Sequence, residues 1–186
     1  IKRYASSIRP GKDMGAIITR ESLNRLHTAI ERAQKEGAKL LLDGRNPSVD
    51  SLLSGGNWLA PTLLDEVKPG TAAACDELFG PVLSIVRCNN LSEALAIEAT
   101  SHFGNATSVF TSSGAIAERV AQESQAGMIG INIGVPVPRE PFSFGGTKES
   151  KFGTGDITGE SSLNFWSSLK KVTTKWSLNP DRNWMN

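Results

Sequence analysis

The sequence predicts an α/β fold: a mostly parallel sheet covered by helices. Short apolar runs alternate with helix-periodic segments between Pro81 and Ile133, and the connections between them are short. Parallel strands need a crossover, and a helix of ten or so residues is the usual one. A long amphipathic helix near the start adds a further layer.

The elements follow in order. Thr19 is placed to cap a helix in which Leu23, Leu26, Ile30 and Ala33 recur at helical spacing until Gly37. Residues 38–42 are apolar and read as a buried strand. Residues 43–56 are rich in Asn, Ser, Gly and Pro and read as a loop. Residues 58–64 form the next extended segment, and Pro61 within it argues for a sheet edge. Residues 82–86 read as a buried strand. A helix over residues 91–100 follows, with Asn90 as its cap and Glu93 at the capping-box position. Residues 107–111 are a strand, 114–124 a helix burying Ile116 and Val120, and 128–133 a strand. Residues 134–159 are rich in proline and glycine, too long and irregular for a plain connection, and such loops are commonly functional. A short helix over 161–168 and a Val- and Thr-rich strand from Leu169 to Trp176 complete the chain, with residues 179–186 as a frayed tail.

The whole chain sets further bounds. Its 186 residues suffice for a buried core, and 39% apolar with 21% charged residues is the balance of a soluble globular protein. The net charge of +1 and the scatter of its charges give no reason to expect nucleic acid or an anionic membrane as partner. No run approaches the length of a membrane span. Ile1-Lys2-Arg3-Tyr4 has neither an initiating Met nor a signal-peptide core, and reads as processing or truncation. Two cysteines without C-x-x-C spacing suit a reducing compartment and make no zinc site, so no metal is expected. Asn105-Ala106-Thr107 is a glycosylation triplet by chance in such a setting.

Few residues promise chemistry. His27 flanks the apolar stripe of the first helix and His102 ends a helix; neither has a serine or cysteine in a hydrolase setting. Cys75 precedes Asp76 and Glu77, whose charge disfavours a thiolate. The glycines around Thr147-Lys148 lack the spacing of a Walker loop or a dinucleotide fingerprint, so they read as backbone permissiveness. Asp76-Glu77-Leu78-Phe79-Gly80-Pro81-Val82 is the informative segment. Two carboxylates and an aromatic stand at a sheet end, either as a functional site or as an acidic turn with Phe79 packed into the core.

These residues resemble the aldehyde dehydrogenase superfamily. Glu77-Leu78-Phe79-Gly80-Pro81-Val82 matches its E-x-F-G-P-V motif, and Phe144-Gly145-Gly146-Thr147-Lys148-Glu149-Ser150 its F-G-G-x-K-x-S signature. Gly104-Asn105, the strand Val109-Phe110-Thr111 and Gly127-Met128-Ile129-Gly130-Ile131-Asn132 agree in order. Gly15-Ala16-Ile17-Ile18-Thr19 is similar to a further motif, with Ala16 where proline is usual. Val135-Pro136-Val137-Pro138 followed by Pro141-Phe142-Ser143-Phe144 resembles the acylating methylmalonate-semialdehyde dehydrogenases, although Arg139 and Glu140 bring charge to a loop that is apolar in many members.

The resemblance implies an NAD-dependent enzyme in which a cysteine thiolate attacks a small (methyl)malonate-type semialdehyde, hydride passes to NAD, and coenzyme A or water cleaves the thioester. Glu77 then accepts hydrogen bonds from the nicotinamide ribose, Phe79 packs near the nicotinamide, and Phe142 and Phe144 wall the aldehyde tunnel. The family's nucleophile lies upstream of the stretch matching Ile1. Residues 1–168 are thus expected to be an incomplete catalytic domain with no catalytic residue of its own, inactive alone. Residues 169–186 are expected to hold the oligomerisation strand, Leu169 to Trp176, joining a homo-oligomer. A cytoplasmic or, in a eukaryote, mitochondrial-matrix location follows. The alternative is a non-catalytic assembly module of the same fold; a nucleotide-binding protein of another fold agrees poorly with motifs in register.

Overall fold

A helical turn, α1 (Lys2–Ala5), precedes the long helix α2 (Arg20–Lys35) in the computed structural model, which describes residues 1–176 and, within them, all but the side chain of Leu52. Thr19 caps α2 as its position predicts, its hydroxyl oxygen accepting from the Ser22 N–H at 3.0 Å. Gly37 follows at φ +102, a left-handed conformation that glycine adopts without a Cβ clash, and the helix stops there. The buried face of α2 is Leu23, Leu26, Ile30 and Ala33, the stripe legible in the sequence.

The chain divides into two compact units, Ile1–His102 and Phe103–Asn186. In the first, β1 (Lys39–Leu42), β2 (Thr62–Asp65) and β3 (Val82–Ser84) form one sheet in that spatial order. β1 runs antiparallel to β2, and β2 parallel to β3 with Thr62 opposite Val82 and Leu64 opposite Ser84. A 3₁₀ turn (Ser51–Leu53) and the short helix α3 (Ala72–Cys75) lie in the connections, and α4 (Leu91–Ala99) follows β3. The core joins α2 to Leu59, Leu64, Val67 and Ala73.

Three expectations change here. The segment around Pro61 is not an edge: β2 is the middle strand, and all four of its residues are buried. Pro61 stands just before the ladder, so its missing N–H interrupts nothing. β1 and β3 are instead the outer strands and only partly covered. Glu93 reaches one residue further back than a simple capping box, its Oε2 accepting from the Asn89 N–H at 2.7 Å while the Asn90 Oδ1 accepts from the Glu93 N–H. The buried carboxylate at the end of β2, Asp65, is answered by Arg87, whose Nε lies 2.9 Å from Oδ1. That hydrogen bond holds the Asp65 carboxyl below its ordinary range.

The second unit holds β4 (Phe103–Gly104), β5 (Ala106–Val109), α5 (Gly114–Glu123), β6 (Met128–Ile131), β7 (Thr147–Lys148) and α6 (Ser161–Trp166). β5, α5 and β6 make the expected parallel crossover, in register from Ala106 opposite Met128 to Val109 opposite Ile131. β4 and β7 pair antiparallel. The parallel pairing of this α/β chain therefore comes in separate small sheets rather than in one continuous sheet. Val120 is buried under α5 as expected, but Ile116 is 39% exposed.

The C-terminal strand expected from Leu169 to Trp176 is not formed within the chain: no strand is assigned over residues 167–176. The physical reason is that a strand exists by pairing, and none of the described strands lies beside it. Leu169, Val172 and Trp176 are all largely exposed. The expected tail, 179–186, lies outside the described residues.

Candidate cofactor and substrate site

The segment from Asp76 to Pro81 is shaped from both ends. Upstream, the Asp76 N–H closes α3 by donating to the Ala72 carbonyl at 2.8 Å, and Asp76 then turns extended. Downstream, the Thr62 N–H donates to the Pro81 carbonyl at 2.8 Å, which ties the turn to the amino ends of β2 and β3. Between these anchors the side chains alternate. Leu78 packs against the core; Glu77 and Phe79 face outward.

Phe79 is 79% exposed and sits at φ +54. A bulky residue in the left-handed region is a genuine outlier that costs on the order of 1–3 kcal/mol, and such residues gather at ligand sites. The alternative of an acidic turn with Phe79 in the core is therefore corrected: the core takes Leu78, and the ring is held out. Gly80 is what allows it. A Cβ there would fall 2.6 Å from Leu26 Cδ1, so only glycine lets the chain press this closely onto α2. The Arg25 guanidinium, also on α2, donates to the Leu78 carbonyl at 2.7 Å. A hollow of about 310 Å³ lies alongside, lined by Arg25, Thr28, Arg32, Ala72 and Asp76 among others. The exposed carboxylate of Glu77 can accept two hydroxyl donors at once, and the Phe79 ring offers a flat apolar face; together they suit a sugar diol joined to a planar ring.

In the second unit, Phe144 is 41% exposed and lines a cleft of about 310 Å³ with Gly145, Gly146, Phe152, Ile157 and Phe165. Lys151 and Asp156 form an ion pair in its wall at 2.7 Å. The Phe144 N–H donates to the Thr158 Oγ1 at 2.9 Å, and the Ser143 hydroxyl bonds the Ser161 hydroxyl at 2.8 Å, so residues 158–161 hold this loop. A second hollow, about 340 Å³, lies between Met128, Ile129 and Ile133 on one side and Pro136, Val137, Pro138 and Ser143 on the other. Phe142 is 72% exposed and lines neither hollow. The backbone freedom expected of this glycine-rich run is used at Gly153 and Gly155, at φ +72 and +78, whereas Gly145 is a packing position, where a Cβ would fall 2.2 Å from Asp156 Oδ1.

Sequence reasoning missed Arg25, Thr158 and the Lys151–Asp156 pair. Each matters through a partner distant in sequence or by a hydrogen bond that has no sequence signature. Of the residues weighed and set aside, Cys75 is part-buried and Cys88 exposed, both free thiols. His27 is part-buried, with its Nε2 unpaired among the described residues. No group of three or more potential metal ligands occurs among the described residues, and no helix there is long and apolar enough to cross a membrane.

The aldehyde dehydrogenase family model matches residues 3–172. The chain belongs to the aldehyde dehydrogenase family. A curated relative from Rattus norvegicus, a mitochondrial methylmalonate-semialdehyde/malonate-semialdehyde dehydrogenase [acylating], is 38% identical over 174 residues, which are 94% of this chain and 32% of the relative. The crystal structure of methylmalonate-semialdehyde dehydrogenase from Oceanimonas doudoroffii superposes with a TM-score of 0.90 at 33% identity, covering 96% of this chain and 38% of that one. A Sinorhizobium meliloti 1021 protein crystallised with NAD gives the same TM-score at 34% identity, covering 97% and 38%. This aldehyde dehydrogenase chain thus spans about a third of the length of the curated relatives it matches. Both motif segments, Glu77 to Val82 and Phe144 to Ser150, fall inside the matched stretch.

Proposed function

We propose that the protein carrying this chain oxidises a small (methyl)malonate-type semialdehyde with NAD as oxidant, and releases the acyl group to coenzyme A. NAD supplies the hydride acceptor when bound. What this chain contributes is placement: Glu77 receives the ribose hydroxyls on the nicotinamide side, and Phe79 limits the swing of the ring. Phe142 and Phe144, on the loop over the second unit's hollows, wall the path of the aldehyde. The observation that carries the reading is Phe79, an exposed ring on a left-handed residue two positions from the exposed carboxylate of Glu77. An apolar ring held in water at a cost in backbone energy is best explained by a ligand that covers it.

The attacking thiol is not one of this chain's two. The family's nucleophilic cysteine belongs to a strand upstream of the stretch matching Ile1, and neither Cys75, part-buried, nor Cys88, exposed, stands in that context. Residues 1–168 are, in this reading, catalytic-domain structure and 169–186 an assembly segment. The names of curated relatives, mitochondrial in Rattus norvegicus and in Dictyostelium discoideum, support a mitochondrial location if the source is a eukaryote.

The experiment is product analysis with the intact protein, malonate-type semialdehyde and NAD, with and without coenzyme A. The expected products are NADH and, with coenzyme A, its thioester; the 186-residue chain alone is expected to give neither. Free acid at the same yield in both arms would contradict coenzyme A as acceptor. NADH formation by the purified chain alone would contradict the absence of a nucleophile.

A further inference from the structure

We propose that Arg25 and Leu26, neighbours on α2, set the conformation of the turn that presents Glu77 and Phe79, which makes Arg25 a positioning residue for that site. The inference rests on the cofactor reading above but concerns different atoms. Arg25 lies 53 residues away in sequence from the carbonyl it binds, that of Leu78, at 2.7 Å. Leu26 is fully buried, and its two methyl groups take the space a Cβ on Gly80 would need, at 2.6 and 2.7 Å. The two contacts bracket Phe79: one fixes the peptide just before it, the other the residue just after.

That bracketing explains how the turn keeps a bulky residue at φ +54. A left-handed residue relaxes to an ordinary conformation unless its flanks are held. Relaxation would rotate the peptide between Leu78 and Phe79, swing the ring, and carry the Glu77 carboxylate with it. The downstream flank is doubly secured by the Thr62 bond to Pro81. The upstream flank is held by Leu78, through its side chain in the core and its carbonyl on Arg25. A guanidinium suits this task because it is always charged and its planar fork gives up less freedom per bond than an ammonium. Arg25 touches no reacting atom in this scheme. Its effect passes through the backbone of the turn.

The test uses the intact enzyme with Arg25→Met, Arg25→Lys and Gly80→Ala, and reads two quantities. Hydrogen exchange of a peptide covering residues 76–81 reports the turn itself, with β1 and β2 as internal controls. The NADH burst rate reports the site. Arg25→Met is expected to speed exchange in the turn about five-fold or more while β1 and β2 stay unchanged, and to slow the burst roughly ten-fold with a smaller change in the KM for aldehyde. Arg25→Lys is expected to recover most of both, since an ammonium can still donate to the carbonyl. Gly80→Ala, which forces the same turn off Leu26, is expected to reproduce the burst defect. Unchanged exchange in the turn of Arg25→Met overturns the proposal whatever the activity. Faster exchange throughout the first unit also overturns it, because Arg25 would then be a general structural residue. Faster exchange confined to the turn, with a normal burst, would confirm the bracket and refute the cofactor reading instead.

Discussion

Glu77→Gln in the intact enzyme is expected to slow the NADH burst by between about ten- and a hundred-fold, with a smaller effect on the KM for aldehyde. The range is the rate equivalent of the roughly 1.5–3 kcal/mol by which a hydrogen bond to a charged group exceeds none at all. Gln keeps the length and shape of Glu but presents one acceptor oxygen and an amide that cannot accept. A ribose diol that donates two charge-assisted bonds to Glu77 would find only neutral ones on Gln, with the amide N–H group able to donate to a hydroxyl but not to accept from it. The fold should tolerate the change, because Glu77 is exposed and its carboxylate makes no hydrogen bond or ion pair with the described residues. A melting temperature equal to wild type therefore accompanies the slow burst. Stopped-flow NADH absorbance reads the rate, and an unchanged burst would return Glu77 to the role of a solvated surface charge.

Removal of residues 169–186 is expected to convert the homo-oligomer we propose for the intact protein to smaller species, an all-or-none effect on mass rather than a shift in rate. Residues 169–176 are rich in β-formers, carry Lys170, Lys171 and Lys175, and pair with none of the described strands. Leu169, Val172 and Trp176 are exposed, Trp176 at 92%, and α6 just upstream exposes Leu163 and Trp166 as well. A strand-forming segment with apolar side chains and no partner of its own is suited to adding to the sheet of another subunit, where backbone hydrogen bonds supply the affinity. Sedimentation velocity on the truncated and complete enzyme measures this directly. An oligomer of unchanged mass after truncation would move the assembly contact elsewhere.

What the sequence discloses is what local chemistry determines. The start, stop and buried face of α2 follow from Thr19, Gly37 and a 3.6-residue apolar period, all within one stretch of chain. The crossover of β5, α5 and β6 is legible for the same reason. The position of β2 in its sheet is not local. Pro61 signals an edge to a reader of the sequence, whereas the structure uses it just ahead of the ladder and leaves β2 in the centre. The outward turn of Phe79 is less legible still. Nothing in Leu78-Phe79-Gly80 says which of the two large side chains enters the core; that is decided by Leu26 beneath Gly80 and by Arg25 on the Leu78 carbonyl. The motif identifies the segment, and only the packing explains why its aromatic is presented to solvent. The C-terminal strand fails to appear for a related reason: β-propensity describes a readiness to pair, and pairing needs a neighbour.

In the proposed enzyme the Glu77–Phe79 turn meets the nicotinamide half of NAD. A structure of the intact enzyme with NAD bound tests it most directly. The expected structure has both ribose hydroxyls on the nicotinamide side within hydrogen-bonding distance of the Glu77 carboxylate, with the Phe79 ring against the nicotinamide and Phe79 still left-handed. NAD bound with its nicotinamide ribose held by other residues, and Glu77 and Phe79 still in solvent, would contradict it.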